Sequence, residues 1–200
     1  VTAFSLVTNL AAGISGLTAI VGTFFVKDYL GLSAAFLAGL GFWAGLPWAL
    51  KMPLGHLVDL FWRHKYLFVY LGASVITASL LMMYGLIAHT EYMSAVMPIE
   101  AWYVLSVILA PVGYVLQDVV ADAMTVEAVP AVEPSGQPIA ESEVKEMHTT
   151  MQALGRFAVI GGSLLVALLN VVLFSDVDSL SLDDKRAVYA RIYLYALAIP

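Results

Sequence analysis

The chain has 200 residues, of which 61% are apolar and only 12% charged, with a net charge of −6 and a mean hydropathy of +0.88. Soluble domains average about 45–50% apolar and about 25% charged residues, so these values exclude an ordinary soluble domain and, with so little charge, a disordered chain. The negative charge and the lack of a basic stripe argue against nucleic acid as a partner, and the absence of cysteine excludes disulfide, zinc-thiolate and cysteine-nucleophile chemistry.

A helix needs about 20 apolar residues to cross a hydrocarbon core of roughly 30 Å. Residues Val1 to Val26 carry no charge and form a run too long for the apolar core of a signal peptide, which predicts a first span over 1–26. Gly31 to Leu50, ended by Lys51, and then Tyr66 to Ala88, are the next charge-free runs; they predict spans over 31–54 and 66–88. A fourth span is expected over 100–123, running on through Asp118 and Asp122. A fifth is expected over 148–175. Tyr189 to Pro200 reads as the start of a sixth, 189–200, incomplete because the chain ends inside an apolar run. None of these runs alternates with period two as barrel strands do, so the fold class expected is all-α, a polytopic membrane bundle. Small residues spaced by four, Ala12 and Gly16, Ser15 and Ala19, Thr18 and Gly22, Gly41 and Gly45, suit close helix packing in lipid.

Connections are short except for 124–147, where Pro130, Pro134, Gly136 and Pro138 mark an irregular loop; Glu141 to Met151 is then expected as a short polar helix leading into span five. Arg63 and Lys65 place the loop between spans two and three on the cytoplasmic side, together with the N-terminus and the 124–147 loop. Lys185 and Arg186, in a loop that alternation puts outside, run against that rule.

Charges inside a span cost about 2.5–3.5 kcal/mol on the insertion scale, so the few present are the best functional candidates. Asp118 and Asp122 share one face of span four, with Gln117 beside them. Arg156 lies about 12 Å into span five at 1.5 Å per residue, at a depth where it can meet the two aspartates. In the second connection Gly55, Asp59 and Arg63 are spaced by four, followed by Lys65; in a helical turn Asp59 and Arg63 can pair, and Gly55 offers a surface for close helix approach. Asn9, Gln152 and Asn170 are expected in interhelical hydrogen bonds, and His56 and His64 as solvated loop residues. No His-Glu-x-x-His pattern occurs, Asp118 and Asp122 lie on one helix rather than facing each other, and no metal, cofactor or enzymatic activity is expected.

The pattern Gly55-x-x-x-Asp59-x-x-x-Arg63-x-Lys65 between spans two and three resembles the loop signature of the major facilitator superfamily, with Leu60 and Trp62 standing where a basic residue and a glycine are usual. Leu46 to Gly55, with Pro47-Trp48 and Lys51-Met52-Pro53, resembles the folate–biopterin transporter branch. So does Gln117 to Glu127, with its Asp118-x-x-x-Asp122-Ala123 element and a following glutamate; a muropeptide and acetyl-CoA transporter branch shares that element. The resemblance implies the N-terminal six-helix half of a secondary transporter, with a C-terminal half outside this chain and a solute site between the halves. It implies a small organic solute, folate- or pterin-like, moved by symport with an ion or proton across a plasma or inner membrane. It further implies a cytoplasmic gate built from Gly55, Asp59, Arg63 and Lys65 with an aspartate of span four. The competing expectation is a non-transporting membrane assembly factor on the same fold.

Overall fold

The computed structural model describes residues 16–25, 31–133, 135–175, 177–198 and 200. Its helices are α1 (Leu17–Phe25), α2 (Ala34–Ala49), α3 (Lys51–Leu60), α4 (Lys65–Ala88), α5 (Thr90–Val96), α6 (Ile99–Glu127), α7 (Glu141–Phe174) and α8 (Leu182–Ala196), with 3-10 turns at Trp62–His64 and Val177–Ser179. Among the described residues there is no strand; one isolated antiparallel bridge, Val132 to Pro138, closes a turn at Gly136, whose φ of 85° suits a residue without a Cβ. The chain is therefore all-α. Trp62–Ala88, Ile99–Glu127 and Glu141–Phe174, with 27, 29 and 34 residues, are long and apolar enough to cross a membrane.

The predicted span 31–54 is instead two helices that part at Leu50. Pro53 is the reason: it has no N–H for the carbonyl of Ala49, and its ring crowds that carbonyl. The ladder resumes at once, with the Leu54 N–H donating to Leu50 O at 3.0 Å. Helix then continues to Leu60, so most of the predicted loop 55–65 is helical and the true connection is Phe61 to His64. The polar stretch from Glu141 is continuous with span five rather than a separate helix. The sixth element begins at Leu182, earlier than 189, because Ser181 accepts from the Asp184 N–H at 3.3 Å and Asp183 and Asp184 occupy the first turn, where the helix dipole favours them. Of span one, only Leu17–Phe25 is described as helix; Asn9, Ala12, Ser15 and the Lys27 to Leu30 connection lie outside the described residues.

Helix α6 is the hub, packing along α4 and against α2 and α3. Its contact with α4 is backbone on backbone: a Cβ at Gly113 would stand 2.7 Å from Gly72 O, and one at Gly72 would stand 2.8 Å from Gly113 O. Two turns further along, Ser79 Oγ donates to Ser106 O at 2.8 Å and Ser106 Oγ to Ser79 O at 3.1 Å, both buried. Small residues thus set a close helix pair, but not those expected from spacing by four: Gly72 and Gly113 have Ile76 and Gln117 one turn on rather than a second small residue. Of the expected positions, Gly22 has only the Tyr193 hydroxyl, 3.3 Å from an added Cβ. Gly41 and Gly45 have nothing within 4 Å of an added Cβ.

The larger core gathers Val21, Phe25, Ile76, Leu86, Tyr189 and Ile192 from α1, α4 and α8, and a smaller one joins Val58 of α3 to Val115, Val119 and Val120 of α6. Helix α7 stands aside from both for most of its length, with Phe157, Ile160, Leu164 and Val171 more than 60% exposed. Arg186, one of the two cations that run against the charge rule, is held within the fold. It sits in α8 and donates to Ile87 O at 3.1 Å and to Thr90 Oγ1 at 2.5 Å, capping the C-terminal carbonyls of α4, where a cation is favoured.

Candidate functional site

Three charge-free runs end at one level of the bundle. Their helical parts, Ala34–Ala49, 101–117 and 157–174, measure about 24, 26 and 27 Å, and each is closed at the same end by a charge: Lys51, Asp118 and Arg156. These lengths approach the hydrocarbon thickness.

At that level Lys51, the first residue of α3, reaches α6. Its Nζ lies 2.5 Å from Asp118 Oδ2 and 2.8 Å from Asp122 Oδ2. The two aspartates are one turn apart on a single face, as their spacing requires. Asp118 is the more enclosed, its side chain 20% exposed against 58% for Asp122. One ammonium shared by two carboxylates leaves the trio a formal charge of −1. The sequence reading paired these aspartates with Arg156. The structure gives that place to Lys51, because α3 packs directly on α6 through Val58 and Val119 whereas α7 touches α6 only lightly. Arg156 is exposed and forms no ion pair among the described residues. It nonetheless lines the same cleft, of about 610 Å³, together with Lys51, Asp118, Asp122, His148 and Gln152.

The expected pairing of Asp59 with Arg63 is not made. Helix α3 ends at Phe61, and Trp62–His64 is a 3-10 turn, so the one-turn register between residues 59 and 63 is lost. Both side chains are exposed. Lys65 is engaged elsewhere: its Nζ is 2.8 Å from Glu127 Oε2 and 3.8 Å from the centre of the Trp62 ring. Trp62 Nε1 donates to Glu127 Oε1 at 3.2 Å. The end of α6 is thereby clasped to the connection between α3 and α4 by a carboxylate, an ammonium and an indole. Gly55, Asp59, Trp62, Asp122 and Glu127 border a second cleft of about 770 Å³ on this side. A Cβ at Gly55 would sit 3.9 Å from Val119 Cγ1, an ordinary contact, so no close helix approach depends on that glycine.

Gln117 belongs to helix packing. It lies against Gly72, and its Nε2 is 3.5 Å from Val69 O. Gln152 lines the cleft. Asn170 is buried, and its Oδ1 has no hydrogen-bond partner among the described residues, in place of the expected interhelical bond. His56 and His64 are exposed. No group of three or more His, Cys, Asp or Glu among the described residues is placed to hold a metal ion. Sequence reasoning missed Lys51 and Trp62 as partners; the signal for Lys51 was its place as the charge closing the second run, at the level of Asp118.

No family model, characterised protein or solved structure matches this chain.

Proposed function

We propose that this chain is the N-terminal six-helix half of a secondary active transporter of the major facilitator type, moving a small organic solute by alternating access with ion or proton coupling. The observation that carries the reading is the Lys51 ammonium held between Asp118 and Asp122 on the wall of a cleft at the edge of the membrane-crossing segments. Charges placed there are costly, and a cation bridging two helices is a contact that can be made in one arrangement and broken in another. The cleft, about 610 Å³, falls in the range of small-molecule sites. The clasp of Trp62 and Lys65 on Glu127 takes the part that the resemblance gave to Asp59 and Arg63, a contact that fixes the cytoplasmic ends of neighbouring helices.

The test is uptake into proteoliposomes, with folate and biopterin as probes and an imposed proton gradient. Lys51→Met should lower the uptake rate at least about tenfold, the effect of about 1.4 kcal/mol, while leaving insertion intact. Asp118→Asn should weaken the response to the gradient. Absence of any gradient-driven flux of these or other organic solutes in the wild-type protein would refute transport and favour a non-transporting assembly factor.

A further inference from the structure

Arg156 stands at the boundary between two halves of α7. On one side of it, Lys145, His148, Thr149 and Gln152 give the helix a polar face; on the other, Phe157 to Ser175 is free of charge for about 28 Å, the depth of a hydrocarbon core. Its guanidinium therefore stands at the edge of the apolar stretch, where the phosphates of a bilayer matched to that stretch would lie. The nearest carboxylates in its cleft, Asp118 and Asp122, are both committed to Lys51. Glu146, on Arg156's own helix, is about 15 Å away along the axis, beyond the screening length of about 8 Å at physiological salt. The fork of N–H donors thus has a hydrogen-bonding vacancy that no described residue fills. His148 and Gln152, two turns and one turn before Arg156 on the same stripe, line the cleft with it, and so do Val159 and Ile160 one turn beyond. Ile160 is 62% exposed.

We infer that this cleft seats an anionic phospholipid, with the phosphate on Arg156, Gln152 and His148 beside the headgroup, and an acyl chain along Val159 and Ile160. A guanidinium presents parallel N–H groups that match two phosphate oxygens. A soluble phosphate would satisfy the same donors, but it would leave the apolar row below them uncovered. Depth and the adjoining apolar row select the lipid. The lipid would lie on the α7 side of this cleft, against Arg156, with the Lys51 trio of the proposed transport site on the facing wall; lipid binding is read without any solute, so its failure is separate from failure of the transport reading.

Native mass spectrometry of the purified protein in detergent tests this, with dioleoylphosphatidylglycerol, dioleoylphosphatidylcholine and inorganic phosphate as probes. The first phosphatidylglycerol should bind more tightly than phosphatidylcholine. Arg156→Gln should weaken that first binding about tenfold, the usual scale of a charge-assisted contact, and Arg156→Lys should weaken it less. Ile160→Ser should weaken phosphatidylglycerol without changing any response to phosphate. Unchanged phosphatidylglycerol binding in Arg156→Gln overturns the inference. So does displacement of the lipid by millimolar phosphate that is insensitive to Ile160→Ser, which would make the site one for soluble oxyanions. If Arg156→Gln does not fold, Arg156→Lys and Ile160→Ser decide the matter by the same criteria.

Discussion

Substituting alanine for glycine should have opposite effects at two places in this bundle. At Gly113 the added Cβ would meet Gly72 O at 2.7 Å, Ile76 Cγ1 at 2.6 Å and Ile76 N at 3.1 Å. Two of these are backbone atoms of the facing helix and cannot swing aside. Reaching an ordinary contact of 3.4 Å means moving α4 away from α6 by about 0.7 Å, and overpacking of this kind costs about 1–3 kcal/mol. The higher helix propensity of alanine returns about 1 kcal/mol, so the net loss is about 0–2 kcal/mol. At Gly41 the same methyl meets nothing within 4 Å, and only the gain of up to about 1 kcal/mol is left. Gly72→Ala should fall between them, because one of its contacts, Gln117 Cγ at 2.8 Å, belongs to a side chain that can move. Reversible unfolding in mixed micelles, followed by tryptophan fluorescence, measures all three. Finding Gly113→Ala as stable as Gly41→Ala would refute the backbone contact between α4 and α6.

Three further predictions concern other parts of the molecule. Asn170→Leu should stabilise the protein by about 1 kcal/mol or more, since it removes a buried carbonyl oxygen without a partner among the described residues; destabilisation in the same micelle assay would show that the amide is used. Lys65→Met and Glu127→Gln should each be mild, and their coupling in a double-mutant cycle should be small but measurable, because Glu127 is 47% exposed; zero coupling would dissolve the clasp. For topology, Ser135→Cys and Ser94→Cys should label from opposite sides of the membrane in a chain otherwise free of cysteine, and equal labelling of both from outside would overturn the expected arrangement.

Periodicity and charge-free runs made most of the helical architecture legible. The 66–88 and 100–123 spans are close to α4 and α6, because their boundaries are set by charge and by Pro98 immediately before the helix. Hydropathy alone did not reveal the break at Leu50, since it averages over Pro53 and sees one apolar run where the hydrogen-bond ladder makes two helices. The early start of α8 came from capping by Ser181 and its aspartates, a signal present in the sequence but outweighed by the search for apolar length. At the site, spacing placed Asp118 and Asp122 on one face correctly. The partner was misassigned because depth along a helix does not say which neighbour packs against it. Arg156 and Lys51 stand at the same level, and only the contact of α3 with α6 decides between them. The Asp59 and Arg63 pairing failed for a local reason, the 3-10 turn that follows Phe61.

The discontinuity at Leu50 makes Lys51 a fulcrum. Swinging α3 about that point barely displaces the first residue beyond it, so the ammonium keeps its two carboxylates. The far end of α3 is a lever arm of about 15 Å, and a swing of about 10° carries it through roughly 3 Å. That travel is close to the 3.2 Å separation of Trp62 Nε1, two residues past the end of α3, from Glu127 Oε1. The same small rotation therefore leaves the ionic contact at the near end of this ten-residue helix intact and strains the indole contact just past its far end.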